Sequence, residues 1–105
     1  MQQFVAYRNR NPVTKGVYPF LLNVQSDLIA EMETRVMIPL LPLRRGRSPT
    51  ISALTPVLAV NGTEHVLMTP LMAGMSAADL GTAVTDLATE RSAIMASLDL
   101  LISGI

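Results

Sequence analysis

The chain has 105 residues, of which 50% are hydrophobic and 15% charged, and it contains no cysteine. This length fits a single domain, residues 1–105, and the composition excludes a disordered chain. A chain without cysteine has no disulfide framework and no thiolate metal site. The longest apolar run, residues 36–43, is far short of the roughly 20 residues that a membrane-spanning helix needs. With no secretion signal at the N-terminus, we expect a cytoplasmic protein with no membrane partner.

Charge is balanced over the whole chain but divided between its halves. Eight Lys and Arg residues balance eight Asp and Glu residues, so no net positive field favours nucleic acid and we expect no sequence-specific DNA contact. Residues 1–50 carry seven basic and three acidic residues, whereas residues 51–105 carry one basic and five acidic residues. Two interpretations remain open: each half solvates its own loops, or a basic loop surface meets an acidic partner segment.

The first two-thirds of the chain has the pattern of an antiparallel β protein. Short β-prone runs, separated by polar loops, predict strands at residues 4–7, 17–24 and 34–40. Pro19 cannot donate to a strand ladder, so that end of the second strand is expected at an edge or a bulge.

A hairpin is predicted around Asn61-Gly62, between β-prone runs at residues 56–60 and 64–71. Both residues tolerate the positive φ angles of a two-residue type I′ turn. Residues 72–83 stay ambiguous between strand and helix.

The last third changes to a helical period. A stripe of residues that is apolar except at Arg91 recurs every three or four positions from Val84 to Ile102, which predicts an amphipathic helix of about 15 to 18 residues. Asp86 and Glu90 suit its N-terminus, and Gly104 is a stop signal. The predicted fold is mainly β (α+β): a small, partly closed barrel of antiparallel strands with one C-terminal α-helix.

Groups that perform catalysis are scarce. His65 is the only histidine, and a lone His in a strand is more often structural than a general base. No Ser lies in a G-x-S-x-G motif, and no glycine-rich phosphate-binding motif is present. We therefore expect a binding protein rather than an enzyme, with no cofactor and no metal. A ribonuclease driven by Arg8, Arg10 and Arg35 stays open as an alternative.

The chain ends in an apolar segment, residues 98–105, where termini are usually polar. Either Ile105 packs into the chain's own core, or this end lies at a subunit or partner interface.

Short segments spread over nearly the whole chain occur in a distinctive order. They are Val24-Gln25-Ser26-Asp27, residues 35–40, Pro56-Val57, Met68-Thr69, Met72-Ala73 and Gly104-Ile105. Together they resemble the CcdB family, the toxins of plasmid-maintenance ccd toxin–antitoxin modules. The resemblance implies a homodimer of SH3-like barrels, each with a C-terminal helix, in the superfamily that also contains the MazF and Kid ribonucleases.

The resemblance also implies an activity, which is to poison DNA gyrase by binding its GyrA subunit and trapping the cleaved DNA complex. A partly disordered antitoxin, CcdA, neutralises such toxins. The gyrase-binding residues implied here follow the V-Q-S-D run and lie at the helix end: Leu28, Ile29, Asp99, Ile102, Ser103, Gly104 and Ile105. The implied antitoxin-binding residues lie on the loops after the first and third strands: Arg8, Arg10, Arg44, Arg45 and Arg47.

The chain departs from the family pattern at the implied gyrase site. Ser103 stands where the best-known member has Trp, Asp99 where it has Asn, and Ile102 where it has an aromatic residue. Trp is a typical interface anchor and Ser is not. Three hypotheses follow: a gyrase-poisoning toxin, a MazF-like endoribonuclease toxin, or a non-toxic homologue that only binds antitoxin.

Overall fold

Seven strands and one helix account for most of the regular structure in the computed structural model, which describes residues 2–29, 31–44 and 52–104. The strands, in chain order β1 to β7, are Val5–Asn9, Phe20–Asn23, Thr34–Pro42, Val57–Val60, Thr63–Leu67, Ala73–Ser76 and Leu80–Asp86; the helix, α1, is Arg91–Ser103. Single 3-10 turns lie at Asp27–Ile29, Thr69–Leu71, Ala77–Asp79 and Ala88–Glu90.

All strand pairs are antiparallel and form one sheet in the order β4-β5-β3-β2-β1-β7. Strand β6 pairs with the first half of β3, on the side where β5 pairs with the second half. The sheet curves into a half-barrel, and Thr85 of β7 donates a 3.0 Å hydrogen bond to the side chain of Asn61 in the β4–β5 turn. The predicted fold is confirmed: a mainly antiparallel barrel with one C-terminal helix.

The hairpin prediction is also confirmed. Asn61 and Gly62 have φ angles of 52° and 77°, and Val60 pairs with Thr63 across the two-residue turn. Pro19 lies just outside β2, which begins at Phe20, so its missing N–H disturbs no rung of the ladder. Its carbonyl accepts a hydrogen bond from the Asn9 N–H.

The helix begins later than its sequence period predicts. Val84 lies in β7, which pairs with β1, and α1 starts only at Arg91 after the 3-10 turn. The sequence period is misleading because the core-facing residues Val84 and Leu87, at and just after the end of β7, have the same three-to-four spacing as the apolar positions of the helix that follows. Asp86 accepts a hydrogen bond from the Ala88 N–H and so caps the 3-10 turn rather than the α-helix. Gly104 ends the helix in the left-handed conformation, φ 75°, as predicted.

The ambiguous segment, residues 72–83, contains a short strand, a 3-10 turn and the start of β7. Ser76 stabilises the turn by accepting a hydrogen bond from the Ala78 N–H.

The sheet buries apolar side chains on both faces, and α1 covers one of them. Ile94 is fully buried in the larger core cluster with residues such as Leu22 and Ile38. Ser97 is buried beside it, accepting a hydrogen bond from Thr69 and donating one to the Ile94 carbonyl. This arrangement satisfies the one buried hydroxyl that the helix brings into the core. No helix of the described residues is long and apolar enough to cross a membrane.

Candidate functional site

The loop between β2 and β3 presents large apolar side chains to solvent. Leu28 is 94% exposed, Ile29 50% and Met32 53%. Isolated exposed apolar residues are ordinary, but a group of them on one short segment marks an interaction surface. Met32 is absent from the residues implied by sequence; its only signal is an apolar residue standing between Glu31 and Glu33.

Hydrogen bonds fix the turn that carries this apolar group. Ser26 accepts the Leu28 N–H at its hydroxyl and the Ile29 N–H at its carbonyl. Asp27 accepts a 2.8 Å hydrogen bond from the Gln3 N–H, which ties the turn to the segment before β1. Hydrogen bonds of the neighbouring polar residues, and not packing of the apolar side chains, therefore set the positions of Leu28 and Ile29.

The end of α1 forms the second exposed apolar segment. Ile102 is 76% exposed, and Leu101 and Asp99 are exposed as well. The Ser103 hydroxyl donates a 2.7 Å hydrogen bond to the Asp99 carbonyl, so Ser103 bonds to its own helix. Gly104 turns the backbone away with its N–H bonded to the Leu100 carbonyl. Ile105 lies outside the described residues.

Both segments are anchored on the same core. Val24, at the neck of the β2–β3 loop, belongs to the larger core cluster, and Val36 of the neck and Met95 and Leu98 of α1 pack against it. The loop and the second half of the helix are therefore attached to the same core.

The predicted basic residues gather at one end of the sheet. Arg8 pairs with Phe20, and Phe20 with Leu40, so the ends of β1 and β3 flank the start of β2 at the same end of the sheet. Arg10 continues from β1 and Arg44 from β3, and all three arginines are exposed. Arg45 and Arg47 lie outside the described residues.

Gly81 makes room for two of these arginines. A Cβ at this position would lie 3.1 Å from the Arg8 Cβ and 3.2 Å from the Arg10 Cγ. The stems of the two arginine side chains therefore lie close to the β7 backbone at Gly81. Together with Leu80 and Thr82 they line a shallow hollow. The Arg8 guanidinium carbon lies 5.8 Å from the centre of the Phe20 ring, a cation–π distance that orders this side chain.

The structure brings together Arg8 and Arg10 of the ribonuclease alternative but separates Arg35 from them. Arg8 shares a sheet face with Phe20, whereas Arg35 is buried on the opposite face, beside Met37 and paired with Met75. His65 is also buried, its Nδ1 2.8 Å from the Thr63 carbonyl oxygen and its ring edge-on to Phe20. These contacts give His65 a structural role. Among the described residues, no group of His, Asp and Glu is placed to hold a metal ion.

Comparison with known proteins identifies the family. The family model described as CcdB protein matches residues 3–104. The chain belongs to the CcdB family. This confirms the resemblance on which the site residues were chosen, and CcdB-family membership makes the chain a toxin of a toxin–antitoxin module.

A solved structure shares the CcdB-family fold seen here. It is described as an endoribonuclease in complex with its cognate antitoxin from a mycobacterial species, and it matches with a TM-score of 0.75 and 16% identity over 97% of this chain and 94% of that chain. At this identity the likeness is one of fold alone. No curated protein matches the chain.

Proposed function

We propose that the chain poisons DNA gyrase by binding the GyrA subunit and trapping the cleaved DNA complex. The observation that carries the proposal is the pair of apolar segments, around Leu28 and Ile102, that the fold displays rather than buries. Burying such side chains against a partner supplies about 1.5–3 kcal/mol each, which suits a protein that acts by binding and not by catalysis.

The proposed gyrase-binding residues are those implied by the CcdB family, with one addition. Leu28 and Ile29 come from the β2–β3 loop, and Met32 joins them because it is exposed on the same loop. The other members lie at the helix end: Asp99, Ile102, Ser103, Gly104 and Ile105.

We also propose that a CcdA-like antitoxin neutralises the toxin at the basic end of the sheet. The stems of Arg8 and Arg10 pack against Gly81, and their guanidinium groups attract carboxylates; a disordered acidic segment gains most from such charge steering. The proposed contacts there are Arg8, Arg10, Arg44, Arg45 and Arg47. The similar fold of a protein solved with its antitoxin supports a partner of this kind.

A homodimer is part of the same proposal. In this dimer the two helix ends lie near the two-fold axis of an isologous contact, so the proposed gyrase-binding residues of both copies lie next to each other on one surface.

The endoribonuclease alternative is supported by the activity ascribed to the protein of similar fold. It is weakened here because Arg35 and Arg8 face opposite sides of the sheet. The non-toxic alternative is supported by Ser103, whose hydroxyl bonds to the helix and offers no anchor.

One set of assays separates the three candidates. The purified protein is incubated with gyrase, ATP and supercoiled plasmid, then treated with detergent and protease. We expect linear DNA that increases with toxin concentration, intact single-stranded RNA in a parallel incubation, and growth arrest on expression without antitoxin. RNA cleavage without linear DNA would replace the proposal by the ribonuclease. Normal growth together with tight antitoxin binding would replace it by the non-toxic homologue.

A further inference from the structure

The neck of the β2–β3 loop contains a buried amide that none of the proposed binding residues accounts for. Gln25 is only 7% exposed. Its side-chain oxygen accepts a 3.1 Å hydrogen bond from the Val36 N–H at the start of β3, and its side-chain nitrogen donates a 3.1 Å bond to the Ile29 carbonyl. The Gln25 side chain therefore connects strand β3 to the turn that carries Leu28 and Ile29.

The backbone at Gln25 is itself held in place by a hydrogen bond. The Gln25 N–H donates to the side-chain oxygen of Asn23, which is 1% exposed, and the Asn23 amide donates to the Gln2 carbonyl. The Ile29 carbonyl also accepts the Met32 N–H. The Ile29 carbonyl therefore accepts two hydrogen bonds, one from the Gln25 side chain and one from the backbone of Met32. We call the two side-chain hydrogen bonds of Gln25, to Val36 and to Ile29, the clamp.

We propose that Gln25 is a positioning residue that fixes Leu28, Ile29 and Met32 in the conformation that binds the partner. A loop held by its own fold loses less conformational entropy on binding, which favours affinity without a new contact. The identity of the partner rests on the proposed function, but the clamp itself does not. The side-chain amide supplies an acceptor for the Val36 N–H and a donor for the Ile29 carbonyl at the same time, whereas a carboxylate supplies acceptors alone and a thioether supplies no donor.

Two variants and a matched control test the clamp. Gln25→Met removes both hydrogen bonds with little change in volume. Gln25→Glu keeps an acceptor for Val36 but loses the donor to Ile29, and so isolates the bond to the loop. Gln3→Met is the control, because the Gln3 side chain also donates to a nearby backbone carbonyl, that of Val24, and the substitution keeps the backbone hydrogen bond from Gln3 to Asp27 of the turn.

The first readout is amide hydrogen exchange by NMR at Ile29 and Met32. We expect exchange about tenfold faster in both Gln25 variants and unchanged in the Gln3 control, because local opening is controlled by the bonds that hold the segment. Unchanged exchange in the Gln25 variants, or an equal rise in the control, would overturn the proposal.

The second readout compares two partners. We expect the dissociation constant for a GyrA fragment to rise about tenfold in the Gln25 variants while that for an antitoxin peptide stays within about twofold. Equal losses for both partners, or variants that do not fold at all, would show that Gln25 is ordinary core and would overturn the proposal. If the unmodified protein does not bind GyrA, the proposed function fails while the exchange rates still decide the clamp.

Discussion

Leu28 offers a clean separation of binding from folding. Its side chain is 94% exposed, so Leu28→Ser removes almost nothing from the core, and the free energy of unfolding should change by no more than about 0.5 kcal/mol. If gyrase buries this side chain, the lost transfer free energy is about 1.5–3 kcal/mol. That corresponds to a dissociation constant about 10- to 150-fold higher.

Val13→Ser is the matched control for this change. Val13 is 86% exposed, is also aliphatic, and lies on the β1–β2 loop, outside the proposed gyrase surface. Binding to an immobilised GyrA fragment, measured by surface plasmon resonance beside urea unfolding, gives both quantities for each variant. If Leu28→Ser binds as tightly as the unmodified protein, or if Val13→Ser loses as much affinity, Leu28 is not part of the gyrase contact.

Three further expectations concern the turn, the terminus and the assembly. Gly62→Ala should lower the free energy of unfolding by about 1 kcal/mol relative to Gly74→Ala, since both positions have open space for a Cβ but only Gly62 has positive φ; equal midpoints in urea would contradict the turn geometry. Deleting residues 103–105 should cost less than about 2 kcal/mol of folding stability yet abolish trapping of cleaved DNA, whereas Ser103→Trp should strengthen the trapping. Unfolding of the truncated protein would show that Ile105 is ordinary core, and trapping by the truncated protein would show that the poison surface lies elsewhere. Sedimentation at micromolar concentration should show a dimer, and a monomer alone would refute the proposed assembly.

Local rules predicted the elements that short-range chemistry determines. The Asn61-Gly62 turn and the Gly104 helix end follow from the backbone freedom of one or two residues, and both were confirmed. The start of α1 was not predictable in this way, because β7 is a strand only through its pairing with β1. Until that pairing is known, Val84 fits a helix and a strand equally well.

The site shows the same division. Resemblance to the CcdB family supplied the loop and the helix end, but neither Met32 nor Gln25 was among the implied site residues. The exposure of Met32 and the two bonds of Gln25 depend on how the loop folds back toward β3. The separation of Arg8 from Arg35 likewise depends on strand register, which sets the face that each side chain takes.

The pairing of β1 with β7 has a consequence for synthesis of the toxin. Asn9 pairs with Leu80 and Val5 with Asp86, separations of 71 and 81 residues. At a synthesis rate of about 5–20 residues per second, β7 is made roughly 4 to 16 s after β1. During that time its outer edge is open to chaperones or to other strands. The hollow over Gly81 does not exist until β7 has been made and has paired with β1, so an antitoxin that binds there, as proposed, recognises only a toxin in which this pairing is complete.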